Sequence, residues 1–186
     1  MKNNLLLFLV LIIVSGSIAQ NNTIAEWQND IDFIVNKVED FHPNPWFRIS
    51  RESFLNNASQ IKNNLENLSE EERIVKTMQL VASLGDGHTY LFPCTHKLFY
   101  HWFPIRIERF EDGIFITGID LGYKDYVGME IIRIGRLSAD SCFYLVGSVT
   151  SVENPLHFER TVPSVIYNAT ILKGLGIIDN RELCVM

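Results

Sequence analysis

Basic clusters, closely spaced cysteine pairs, internal repeats and low-complexity tracts are all missing from this chain, and each gap removes a class of function. Lys and Arg are outnumbered by Asp and Glu, for a formal net charge of −6 over 186 residues, and they form no patch. A nucleic-acid phosphate backbone is therefore excluded as a partner. Cysteine occurs three times, at Cys94, Cys142 and Cys184, in no spacing that holds a metal. No metal site and no cofactor are expected. An oxidising compartment would allow one disulfide, between Cys94 and Cys142 for instance, with one thiol left over; three buried free thiols are the equal alternative.

Long hydrophobic runs are scarce as well, with one exception at the start. Lys2 precedes an unbroken apolar run from Leu5 to Val14, and Ser17-Ile18-Ala19 offers a small-x-small cleavage site before Gln20. That order reads as an export signal over residues 1–19. The run is about half of the ~20 residues that a membrane-spanning helix needs, so no stable span is expected once the signal is removed, although an uncleaved anchor is the other reading. No cysteine follows the cleavage site, which argues against a lipid anchor. Removing residues 1–19 from the 186 leaves 167, enough for one ordinary domain or two small ones. A secreted or periplasmic location follows. Sequons begin at Asn21, Asn57, Asn67 and Asn168 and matter only in a host that glycosylates.

Beyond the signal, the apolar spacing changes character once. Thr23-x-x-Glu26 is a capping box, and Trp27, Ile31, Ile34, Val35 and Val38 recur at helical spacing, predicting a helix from Ile24 to Glu39. His42-Pro43-Asn44-Pro45 ends it, since each proline disfavours helical geometry in the residue before it. Phe54, Ala58, Ile61 and Leu65 predict a second helix over Arg51 to Asn67. Ser69-x-x-Glu72 opens a third that reaches Leu84, where Gly85 can take up the left-handed stop conformation. From Phe103 the spacing approaches two. Phe103, Ile105 and Ile107, the Asp112-Gly113 turn, and Ile114, Ile116 and Ile119 predict a hairpin. A short strand at Met129 to Ile134, a helix from Ser138 to Val149 and a last helix from Val165 to Leu172 complete the reading. The fold class is α+β: a helical domain over residues 20–89, then a β-rich region with flanking helices over 90–186, with the change of character at residues 89–101.

The segment carrying chemistry is Gly85-Asp86-Gly87-His88-Thr89, at the junction between helix and strand. By residue type alone it is a helix stop whose glycines supply positive φ while Asp86 and Thr89 bond nearby backbone. Four stretches in order give it a second meaning: Trp27 to His42-Pro43-Asn44; Leu80 to Leu91; Phe103-Pro104-Ile105 with Asp112 to Ile116 and Gly128 to Ile134; and Val152-Glu153-Asn154 through Leu172 to Ile177. Together they resemble the tail-specific proteases (C-terminal processing and tricorn-like) over nearly the whole mature chain, with the Asp-Gly-His-Thr segment the sharpest part. The resemblance implies that the β-rich region is a partial PDZ-like unit. It also implies that His88 is the general base that activates a serine, a task suited to an imidazole titrating near neutrality. Asp86 would bond local amides in preference to orienting the ring, Gly87 would free the backbone, and Thr89 would stabilise the turn.

Departures from that family are as informative. No mature segment reads Gly-x-Ser-x-Gly, and Ser50, Ser69 and Ser138 sit where N-caps belong. A base without nucleophile and oxyanion donors cannot run acyl transfer. The expectation is thus a truncated front portion of an exported serine endopeptidase, inactive by itself, whose partners are a polypeptide substrate or an absent protease core domain. A secreted module that binds peptides or small apolar ligands without catalysis is the alternative, and a degenerate remnant is a third. No carboxylate-binding glycine loop accompanies the PDZ-like strands, so tail recognition by strand addition is not supported. His42 and His157 stand isolated, with satisfied polar roles expected. His96 and His101 read as solvated loop residues. The aromatic run Phe99, Tyr100, Trp102 and Phe103 reads as a junction or core.

Overall fold

The computed structural model describes residues 24–93, 96–119 and 121–179; the export signal, the first capping box, Cys94 and Cys184 lie outside them. The chain is α+β, with three helices leading into a small antiparallel sheet. Helix α1 covers residues 24–41, α2 Arg51–Asn64 and α3 Glu70–Ala82. On α1 the buried residues Ile24, Ile31 and Val38 recur every seven positions and meet Phe54, Ala58 and Leu65 from α2 and its following 3-10 turn. Ser50 caps α2 by accepting from the Ser53 amide at 3.1 Å. Ser69 and Glu72 form the reciprocal capping box of α3, at 3.3 and 2.8 Å.

Helix α3 is the shared wall of the molecule. Leu80 and, just beyond the helix, Leu84 face the α1–α2 core, whereas Ile74, Val75 and Met78 face the second core built with the rest of the chain. Behind it lies α6, Ala169–Gly174. The two come so close that a Cβ on Gly174 would stand 2.3 Å from the Glu71 carbonyl oxygen, a contact only glycine permits. Lys173 Nζ meets the buried Glu71 carboxylate at 2.9 Å across the same seam; a charge is tolerated there because it is paired.

Strand β1, Ile105–Phe110, pairs with β2, Gly113–Ile119, around the tight Glu111-Asp112 turn. Ile107 and Ile114 enter the second core, and Ile116 is buried beside them on β2. The run Met129 to Ile134 does not form one strand. Its first part lies beside β2, with the Ile116 amide donating to Met129 and the Ile131 amide to Ile114, while β3, Arg133–Ile134, turns at Gly135 to pair with β4, Leu137–Ser138. Gly135 has φ +56°, and a Cβ there would strike the Ile177 carbonyl, so the break is built by backbone packing that hydropathy does not report.

Helix α4, Ala139–Gly147, is capped by Ser138 at 3.2 Å. Helix α5, Pro155–Thr161, is one the apolar spacing does not announce, although Asn154 as cap and Pro155 at the first position are its ordinary signals. The last helix starts four residues later than Val165, because Val162–Ser164 form a 3-10 turn and the Asn168 side chain caps α6 at 3.0 Å. Asn168 is fully buried and its Nδ2 donates to the Phe99 carbonyl at 2.8 Å, so its sequon is sealed in the fold; Asn57 and Asn67 are exposed. Among the described residues, no helix is long and apolar enough to cross a membrane. Cys142 carries a free, buried thiol that burial pushes up to about 12, which leaves it inert at neutral pH.

Candidate functional site

Two segments distant in sequence converge on the Gly85–Thr89 turn. Gly85 stops α3 with φ +66°, and the Arg48 side chain lies directly over it: a Cβ on Gly85 would be 2.6 Å from Arg48 Cγ. The same Arg48 reaches on to donate from Nη2 to the Glu153 carbonyl at 2.9 Å. One side chain thus ties the loop after α1, the turn after α3 and the residue before the α5 cap into a single wall.

Asp86 organises the turn. Its Oδ1 accepts from the His88 amide at 3.0 Å, and its Oδ2 from the Thr89 hydroxyl at 2.6 Å. Oδ2 also lies 2.9 Å from His42 Nε2, a long-range bond that clamps the His-Pro turn to this one. His42 is largely buried and is fixed at its other nitrogen by the Asn44 amide at 3.1 Å. The Thr89 hydroxyl first, then the His88 amide, hold the Asp86 carboxyl well below the usual carboxylate range; burial pushes the other way, and His42 adds to the lowering.

That depression is a statement about stability. A carboxyl whose folded pKa lies below its unfolded value contributes stability that is complete above the unfolded value of about 3.9, and that is lost as pH falls from there through the folded value. Asp86→Asn should therefore cost about 1–3 kcal/mol at pH 7, the range for losing charge-assisted hydrogen bonds. Urea midpoints of the two proteins should draw together below about pH 4. A gap that stays constant from pH 7 down to 2.5 would count against this assignment.

His88 stands out from the turn with its side chain 90% exposed. Its Nδ1 is 3.1 Å from Glu153 Oε1, and 3.5 Å from Asp86 Oδ1. Glu153 Oε1 also accepts from the Gly87 amide at 3.3 Å. Gly87 itself is covered by His157, whose Cε1 would be 2.3 Å from a Cβ at that position. Among the described residues, the imidazole bonds carboxylate oxygen and no hydroxyl. Ser50, Ser69 and Ser138 are committed to helix caps.

The turn thus brings together Asp86, Gly87, His88 and Thr89 with two histidines, His42 and His157, that stand isolated in the sequence. Glu153 is the residue that sequence reasoning passes over, since it is 65 positions from His88 and shares no local pattern with it. His96 is not a solvated loop residue: its Nε2 pairs with Glu70 Oε1 at 3.1 Å and its ring faces Trp27. Phe99 is buried, edge-on to Phe92 and Trp102 at 4.9 and 5.7 Å, and Trp102 meets Tyr167, so Phe99, Trp102 and Phe103 pack in or against the core while Tyr100 of the same run is exposed.

Two further properties bear on chemistry. Asp86, His88 and Glu153 each offer a donor atom, and these all lie within 4.8 Å of one another, a spacing that one divalent cation could bridge. An open cleft of about 540 Å³ is lined by Ala82, Ser83, Tyr144, Gly147, Val152 and Phe158 among others. Ser83, Val152 and Phe158 are near or immediate chain neighbours of Gly85, Glu153 and His157. No family model, curated protein or solved structure matches the chain.

Proposed function

We propose that this chain is the front portion of an exported serine endopeptidase of the tail-specific, tricorn-like type, with His88 as the general base for a serine that another stretch of polypeptide contributes. The observation that carries the reading is the state of His88. One ring nitrogen faces a carboxylate, and the other has no hydrogen-bond partner among the described residues while the side chain stands in solvent. A base prepared to serve a hydroxyl from elsewhere requires that arrangement. The open cleft lined by Ala82, Val152 and Phe158 offers apolar surface at chain neighbours of Glu153 and His157. The β-rich region is read as a partial PDZ-like unit that packs on the helices.

Hydrolysis in the presence and absence of the missing partner tests the reading. Purified alone, the chain should leave casein intact and take no fluorophosphonate label. Joined to a serine-bearing core segment, it should hydrolyse casein and carry the label on a serine of that added segment. Phosphonate-sensitive cleavage by the chain alone would overturn the proposal, as would a following reading frame without a serine-bearing domain.

The cleft also favours a second reading, a secreted module that holds an apolar peptide end without catalysis. Calorimetry with a varied set of hydrophobic C-terminal peptides separates the two, because a module of that kind must bind some of them with no partner domain present.

A further inference from the structure

Resting on the reading of His88 as a base, we propose that Glu153 is its positioning residue, holding the ring in the tautomer that carries hydrogen on Nδ1 and so leaving the Nε2 lone pair turned outward. Asp86 is the nearer residue in sequence, but its Oδ1 lies 3.5 Å from Nδ1. A contact that long is not a hydrogen bond of useful strength. Glu153 Oε1, at 3.1 Å, is within range.

An ionised carboxylate only accepts, so a hydrogen bond between it and Nδ1 requires the proton to sit on Nδ1. A neutral histidine side chain left to itself favours the proton on Nε2, where it would block the lone pair that a base needs; the bond made by one nitrogen decides the state of the other. With Nδ1–H directed at Glu153, Nε2 can take the proton of an incoming alcohol as the alcohol oxygen attacks the peptide carbonyl. The resulting imidazolium keeps its Nδ1–H on Glu153 and returns the Nε2 proton to the leaving amine.

Glu153 is itself held, which separates it from a mobile surface acid. Its carbonyl accepts from Arg48, its Oε1 accepts from the Gly87 amide, and the next residue, Asn154, caps α5 through the His157 amide at 2.9 Å. His157 closes the space on the Gly87 side. The carboxylate therefore reaches His88 from a fixed backbone, as a positioning group must.

Long-range nitrogen–proton NMR on the EDTA-treated full chain measures the tautomer directly, with the His88 signals identified by their loss in His88→Ala. In the native protein above the titration of the ring, the Nδ1–H form should dominate. Glu153→Gln should move the ratio several-fold toward Nε2–H while the amide spectrum away from the site stays unchanged. An unaltered ratio in Glu153→Gln, or a native ring already dominated by Nε2–H, would overturn the proposal. So would stoichiometric Zn²⁺ that shifts the Nδ1 signal in the native chain and not in Glu153→Gln, since the three donors would then be a cation site. The measurement needs no hydrolytic activity. A shifted ratio, beside a casein assay in which the chain joined to a serine-bearing segment stays inactive, would sink the peptidase reading and leave the positioning role standing.

Discussion

In the peptidase joined to its serine-bearing segment, His88→Ala is expected to lower kcat/KM on a casein-derived reporter by about 10²–10⁴-fold, the range that a positioned general acid–base supplies. The loss should fall on kcat, because a base that acts on the nucleophile contributes to the transition state and little to ground-state binding. Fluorophosphonate labelling of the serine should slow in parallel, since it needs the same proton removed. Folding will not confound the result. The His88 side chain is almost wholly exposed, and surface substitutions of this kind change stability by no more than about 0.5 kcal/mol. A kcat/KM within a factor of two of the parent, in a protein that melts normally, would remove His88 from the chemistry.

The largest effect on stability is expected at Phe143. It is fully buried on α4 and sits in the second core with Ile107, Ile114, Val162 and Ile166. Phe158 meets it edge-on at 5.7 Å, and the Arg109 guanidinium lies over its face at 4.8 Å. Phe143→Ala removes that burial and leaves a cavity, which costs about 3–5 kcal/mol. It also strips one wall from Arg109, whose Nη1 is buried without a hydrogen-bond partner among the described residues and depends on the rings and on Asp140 and Glu159 nearby. Cation–ring attraction of this kind is worth roughly another 0.5–2 kcal/mol. Against a total stability of about 5–15 kcal/mol, urea denaturation should show a midpoint lowered by a large fraction of its value. A loss below about 1.5 kcal/mol would mean that the site collapses around the gap and that the second core is not centred on this ring.

The two effects fall at different places, Phe143 in the second core and His88 on the turn beyond the end of α3. The Phe143 core supports α4 and α5, which carry the cleft and bring Glu153 and His157 to the turn; the turn itself hangs from the end of α3. Weakening the core should therefore loosen the partner of His88 before it disturbs His88, whose own backbone is held by Asp86.

Much of this arrangement was legible in the residues, where short-range rules apply. Helical spacing from Ile24, Phe54 and Ile74 set three helices, Ser50, Ser69 and Ser138 marked caps, Gly85 marked a stop, and the alternation around Asp112-Gly113 marked the hairpin. Asp86, His88 and Thr89 could be picked out together because they are adjacent. Such features depend on a few neighbouring residues, whose preferences act before any distant segment arrives. What only the tertiary structure decided is everything that pairs residues far apart. His42 with Asp86, Arg48 with Glu153, Glu153 with His88, the division of the Met129–Ile134 run and the seam at Gly174 all depend on which helix faces meet and how closely. No periodicity encodes that choice, because it is made by the packing of whole surfaces, and the packing turned an exposed histidine into one with a carboxylate at its back.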